Sequence, residues 1–298
     1  MIVNSIRISN YIKTTTLKSF YPLLSKNLSN MGDRKGLPLE MVLKKLDDFA
    51  PQTLAESWDN VGLLIEPSSV QISTILLTND LTENVMEEAL EVKANLIISY
   101  HPPIFRALKS ITNSNWKGRI VSACLENRIA LYSPHTCWDS VQNGLGEWLA
   151  HCLPVKTCIP IQAGTVPNTG MGRICELANE MTLKEAVEKV KCHVGVPYLR
   201  LAIARGKSLE SKINTLAVCP GSGASILAGV KADLYVTGEM LHHDILDATH
   251  IGSHVIMCNH SDSERGYLKH FAQKLQSWFA TEVKVVVSSR DEDPITTI

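Results

Sequence analysis

Of the ten histidines in the 298-residue chain, five fall between positions 242 and 260, and several stand beside carboxylates at short spacing. "PHTCWD" sets His135 four residues ahead of Asp139, and "NHSDSE" sets His260 four ahead of Glu264. "LIISYHPPIF" delivers His101 at the end of an apolar run that two prolines then stop. Histidine with carboxylate and without cysteine suits Zn²⁺, Mn²⁺, Fe²⁺ or Co²⁺ rather than an iron–sulfur centre or a Cys-rich finger. Such an ion brings the pKa of a bound water down toward ~7, so the chemistry to expect is metal-dependent hydrolysis. Glu239, His135 or His242 could then shuttle protons within hydrogen-bond reach of that water.

Each residue also has a plainer reading. Asp139 could cap a helix, and Glu264 could set negative charge at the start of one. Glu239 and Asp244 could do the same for "HHDILDA". His250, His254 and His270 read as structural or exposed, and Cys137 and Cys258 as small buried fillers. The "CPGSGAS" run at 219–225 raises the question of a phosphate loop. It matches neither full glycine-rich fingerprint, and a tight strand-to-helix turn is the favoured reading. No nucleophile elbow of the G-x-S-x-G type is present.

The elements that must hold these residues alternate. "ISTILLTND", "NLIISY" and "IALYS" read as strands; "LEMVLKKLDDFA", "TENVMEEALEVKA" and "WKGRIVSACLENR" read as helices. After a Pro/Gly cluster at 154–172 the rhythm resumes, through "INTLAVCP", "ADLYVTG" and "HVIMC" to a long helix "SERGYLKHFAQKLQSWF" and a last strand "VKVVVSS". The expected architecture is α/β with largely parallel strands covered on both faces. It divides into an N-terminal lobe at 37–153, a linker at 154–172 and a C-terminal lobe at 173–298. On that map Asp80, His101, His135, Asp139, Glu239, His260 and Glu264 all follow strands. The carboxyl edge of an open α/β sheet is where ligands bind.

A formal net charge of −1 gives no general nucleic-acid-binding surface, and no apolar run reaches the ~18 residues of a membrane span. Eight cysteines without a C-x-x-C pair fit a reducing compartment such as the cytoplasm. The first 32 residues hold Arg7, Lys13, Lys18 and Lys26 but no Asp or Glu. That composition fits a mitochondrial presequence or a disordered tail, and residues 1–36 are set outside the fold.

The motifs "AESWDNVGLL", "LTNDLTENVMEEAL", "SYHPPIF", "YSPHTCWD", "GMGRICEL", "CPGSGAS", "LYVTGEMLHHDILDA" and "NHSDSERG", in this order, resemble the NIF-three-like family (NGG-one-interacting factor three), above all its animal members. The family's members carry the label GTP cyclohydrolase I type 2. The resemblance runs from about Leu37 to the C-terminus. It implies two α/β lobes, a dinuclear metal site in the cleft between them and a toroidal hexamer. Carried over by motif, His101, Asp139, His260 and Glu264 would be the ligands. His135, Glu239, His242 and His243 would line the same cleft as proton carriers. Many bacterial members have histidine where this chain has Tyr100, which leaves one or two ions per subunit. Longer relatives insert a domain near 154–172. The function implied is hydrolysis of a small or nucleotide-like substrate. The other readings are an oligomeric scaffold for a transcriptional regulator and a metal chaperone or store.

Overall fold

The run "TILLT" at 74–78 is buried on every residue, so it has no solvent face to spare and must sit inside a covered sheet. The computed structural model describes residues 36–296; the acid-free stretch read as a targeting segment or tail lies outside the described residues. In chain order the first elements are β1 (Leu37–Pro38), α1 (Leu39–Phe49), β2 (Gly62–Ile65), β3 (Gln71–Ile72), β4 (Thr74–Thr78), α2 (Glu83–Glu91), β5 (Leu96–Ser99), α3 (Trp116–Glu126), β6 (Ala130–Ser133), α4 (Thr136–Ser140) and α5 (Leu145–Ala150). The chain continues with β7 (Val155–Ala163), β8 (Gly170–Thr182), α6 (Leu183–Val194), β9 (Arg200–Ala202), β10 (Lys212–Ser222), α7 (Ala224–Leu227), β11 (Leu234–Glu239), α8 (His242–His250), β12 (His254–Met257), α9 (Asp262–Phe279) and β13 (Lys284–Val287).

Two sheets carry the fold. The first runs β13-β4-β5-β6-β2, with β13, β4, β5 and β6 parallel and β2 antiparallel to β6. Side chains alternate across it. Ile75, Leu77, Leu96 and Ile98 join α1 and α9 in one core, while Leu76, Ile97 and Leu131 join α2 and α3 in another. The second sheet runs β7-β8-β10-β11-β12-β9. One of its faces packs on α5 and α6, and the other on α7 and α8. Helix starts follow local chemistry: the Thr82 hydroxyl accepts from Val85 N, and Thr182 with Glu185 forms a capping box that opens α6. Among the described residues no helix is long and apolar enough to cross a membrane.

Four expectations are corrected. Residues 154–172 are not a linker but strand β7, a turn and the start of β8. Pro160 misled because β7 is an edge strand, where a residue without an N–H is tolerated. In the second sheet only β10, β11 and β12 are parallel; β7, β8 and β9 pair antiparallel. The helix expected after "CPGSG" is a single turn, α7. And β13, expected in the C-terminal lobe, pairs with β4 in the first sheet. The reason is α9, which follows β12 of the second sheet yet buries Tyr267, Leu268, Phe271, Leu275 and Phe279 in the core of the first. Fully buried Arg173 of β8 adds a tie, since its guanidinium donates to the carbonyls of Ser140 and Val141 at the end of α4 and to those of Gly170 and Gly172.

The exit from β13 is held by one carboxylate. Buried Glu88 on α2 accepts from the Ser288 hydroxyl, from Ser289 N and Oγ, and from Arg290 N. Burial opposes the charge, but these donors carry the Glu88 carboxyl below its ordinary 4.5. A lowered folded pKa stabilises above the ordinary value and loses that contribution as the pH falls through the folded one. Glu88→Ala is expected to cost about 2 kcal/mol, read as a thermal midpoint roughly 4–8 °C lower at pH 7. The gap between wild type and variant should close below pH 4.5.

Candidate metal centre

Parallel strands end on a common edge, and that edge places the polar residues together. His101 follows β5, His135 and Asp139 follow β6, Glu239 closes β11, and His260 follows β12. Glu264 lies in the first turn of α9. His101, His260 and Glu264 form a group that could hold a metal ion, with one donor atom from each lying within 4.8 Å of the others. His101 Nε2 is 3.4 Å from Glu264 Oε2, and His260 Nε2 is 3.6 Å from Glu264 Oε1. One imidazole thus faces each oxygen of a single carboxylate.

What orients the rings is a set of further carboxylates. His101 Nδ1 donates to Asp80 Oδ1 at 3.0 Å, His260 Nδ1 to Glu239 Oε1 at 2.9 Å, and His135 Nδ1 to Asp59 Oδ1 at 2.7 Å. An ionised carboxylate only accepts, so each Nδ1 carries the hydrogen, and in the neutral ring Nε2 is the nitrogen left to accept or to ligate. Burial works against the charge on Asp80, yet the hydrogen bond from His101 brings it below the ordinary carboxylate range. Asp59 is lowered likewise against its burial, by His135 and by Thr136, whose N and Oγ1 both donate to it.

Glu264 is the opposite case. Burial pushes its carboxyl well above the ordinary value, with Asp139 and Asp80 adding repulsion, although Asn79 Nδ2 donates to its Oε2 at 3.0 Å. Burial likewise pushes Asp139 up to about 6, even though Tyr100 donates its phenol hydrogen to Oδ1 at 2.8 Å. A carboxylate buried this way calls for a cation. The local backbone makes room for one. Gly221 has φ +60°, and a Cβ there would meet Glu264 Oε1 at 2.6 Å and His260 Nε2 at 3.1 Å. His135 at φ +30° and Asn259 at φ +68° hold backbone conformations that non-glycine residues seldom adopt, both next to the cluster. The donor set fits a divalent transition metal: two oriented imidazoles, one carboxylate short of positive charge, and a glycine whose missing side chain leaves the space open.

His101 and His260 stand between two cavities. The larger, about 590 Å³, is lined by residues that follow strands of the first sheet and by residues of the second, among them His135, Asp139, Cys219, Gly221 and Glu264. The smaller, about 390 Å³, is lined by Asp80, Glu239 and the C-terminal residues Asp293, Pro294 and Ile295. His242 and His243 lie elsewhere: both are exposed at the start of α8, ring against ring at 5.3 Å, and neither lines either cavity. The glycine loop at 221–223 presents no open anion cradle, because Gly221 N donates to Ser263 Oγ and Gly223 N to Thr237 Oγ1.

Sequence reasoning gave no role to Asp59, Asn79 or Asp291, and placed Asp80 only as a strand end. Asp59 precedes a strand instead of following one. It reaches the site because β2 is antiparallel, so its start lies on the edge where β6 ends. Asp291 accepts from Asn79 N at 2.6 Å across 212 residues of sequence, a contact no local pattern announces.

Comparison with known proteins bears out the family resemblance carried by the motifs. The family model described as Duf34/NIF3 (NGG1p interacting factor 3) matches residues 38–294. The chain is 47% identical to the Drosophila melanogaster NIF3-like protein 1 over 274 residues, covering 91% of this chain and 93% of the fly protein. It is 35% identical to the Saccharomyces cerevisiae NGG1-interacting factor 3, covering 87% and 96%. A solved Staphylococcus aureus hypothetical protein superposes with a TM-score of 0.77 at 28% identity, covering 88% of this chain and all of its own.

The raised carboxyls set a pH dependence. Without metal, the folded chain keeps protons on Asp139 and Glu264 that the unfolded chain releases near 3.8 and 4.5. Stability therefore falls as pH rises, by on the order of 2–3 kcal/mol from Asp139 alone. A divalent ion bound beside Glu264 would take the proton's place. Added Zn²⁺ or Mn²⁺ should raise the thermal midpoint more at pH 7.5 than at pH 5, and Glu264→Gln should flatten that difference.

Proposed function

The chain belongs to the Duf34/NIF3 family, and from that premise we propose that it is a metal-dependent hydrolase of a small substrate. The observation that carries the reading is the convergence of His101 Nε2, His260 Nε2 and the buried Glu264 carboxylate on the wall of the larger cavity. Asp139, a ligand only by the family resemblance, lines the same cavity but stands outside that group, with Oδ1 accepting from Tyr100. A divalent ion bound there supplies Lewis acidity and brings the pKa of a water down toward ~7.

The chain's own residues do the rest. Asp80 and Glu239 hold His101 and His260 in the tautomer that leaves Nε2 unprotonated. His135 is the proton carrier of the site. Its ring faces His101 edge-on at 5.4 Å between centroids, and Asp59 on Nδ1 stabilises the imidazolium formed when Nε2 takes a proton. Tyr100 packs between His135 and Trp138 and fixes Asp139 through its hydroxyl. It stands where a second imidazole would donate, which favours one ion per subunit. His242 and His243, exposed in one copy, belong to the reading only through neighbouring subunits of the ring-shaped hexamer that the family resemblance implies.

A second reading, a scaffold that binds a regulatory protein, takes its support from the name of the yeast relative, NGG1-interacting factor 3. The two readings part on chelation. If the hydrolase reading is right, metal removal abolishes turnover across a panel of phosphoesters, nucleosides and cyclic amides, and His260→Ala lowers it by at least a hundredfold. Turnover that survives either change refutes it. Asp80→Asn is expected to weaken metal binding by ~10–100-fold in calorimetric titration, with the fold retained by circular dichroism.

A further inference from the structure

The larger cavity has an uneven lining. At its mouth stand two aromatic side chains that the fold leaves in solvent, Trp58 at 58% exposure and Phe105 at 39%. Their ring centroids are 6.1 Å apart at 59°, so they form an open wedge rather than a closed stack. The wedge leads inward ring by ring: Trp58 to His135 at 5.9 Å, His135 to His101 at 5.4 Å, and His101 to His260 at 5.2 Å. Large exposed aromatic surface beside a polar site is costly in water and gains when a flat apolar face covers it.

Charge points the same way. The lining includes three carboxylates, Glu56, Asp139 and Glu264. Among the described residues that line this cavity there is no lysine and no arginine. A divalent ion would leave one carboxylate charge uncompensated. Beyond the metal ion itself, polyphosphates are recognised by Arg, Lys or open backbone N–H groups. The N–H groups of Gly221 and Gly223 are already spent on Ser263 and Thr237.

We propose that the substrate of this site is an uncharged or cationic compound carrying a planar ring, which lies on Trp58 and Phe105 and presents its reacting group to His101 and His260. A polyphosphate anion such as a nucleoside triphosphate is disfavoured. The inference rests on the metal-centre reading above, which sets where the reacting group must lie. Trp58 and Phe105 are then specificity-determining residues, and a ring seated on them places its substituent beside His135 and the ligand pair.

The test is binding, read apart from turnover. Full-length protein loaded with Mn²⁺ is titrated calorimetrically with adenosine and with ATP, two ligands that share a ring and differ in charge. Metal content is checked by elemental analysis after each run. Adenosine should bind at least tenfold tighter than ATP. Trp58→Ala and Phe105→Ala should each weaken adenosine about tenfold without loss of metal, and Trp58→Phe should restore most of the affinity. ATP binding tighter than adenosine, indifference to both alanine variants, or no adenosine binding at millimolar concentration would each overturn the proposal. If adenosine binds as expected but nothing is turned over, the hydrolase reading fails and the ring-binding site stands.

Discussion

Much of the structure is arranged around one carboxylate. Glu264 is buried where the edges of two sheets meet, and neither burial nor its acidic neighbours favour its charge. Such a group is tolerated only if its surroundings supply donors or a cation. Asn79 supplies one donor, and His101 and His260 face its two oxygens. Gly221 is glycine because any side chain there would fall on the carboxylate. The candidate ion-binding group is therefore a consequence of how an unfavourable burial is resolved.

That arrangement demands a scaffold in which two sheets cannot drift apart. Helix α9 meets the demand by starting from the second sheet and burying its apolar stripe in the first, so the element that delivers Glu264 also welds the halves. Arg173 locks β8 to the end of α4, which bears Asp139. The C-terminal segment returns past α2 to Asn79, the residue that donates to Glu264. Each imidazole is then pinned by a carboxylate behind it. The pairs Asp80–His101, Glu239–His260 and Asp59–His135 repeat one device on three strand ends.

Legibility in the sequence followed the range of the interaction. The buried runs at 74–78, 96–99 and 130–133 announced themselves through continuous apolar character, and "TENVMEEALEVKA" showed a helix opening on Thr82, because these signals act within a few residues. Strand β7 did not. An edge strand with Pro160 and half-exposed side chains carries the composition of a loop. The partner of β13 was equally hidden, since strand order depends on which core α9 enters.

The residue types and spacings alone determined that histidines and carboxylates gather at strand ends, and so singled out His101, His135, Asp139, Glu239, His260 and Glu264. That is a local property, because a strand end and its following turn are written in consecutive residues. The tertiary structure decided the rest. It brought His101, His260 and Glu264 within one ion's reach, supplied Asp59, Asn79 and Asp291 from distant sequence, and left His242 and His243 on the surface. It also gave Tyr100 its meaning, a phenol that engages Asp139 in the buried wall of the site. The physical reason is that charge burial, ring orientation and cavity lining depend on distances across the fold, and those exist only once the two sheets have met.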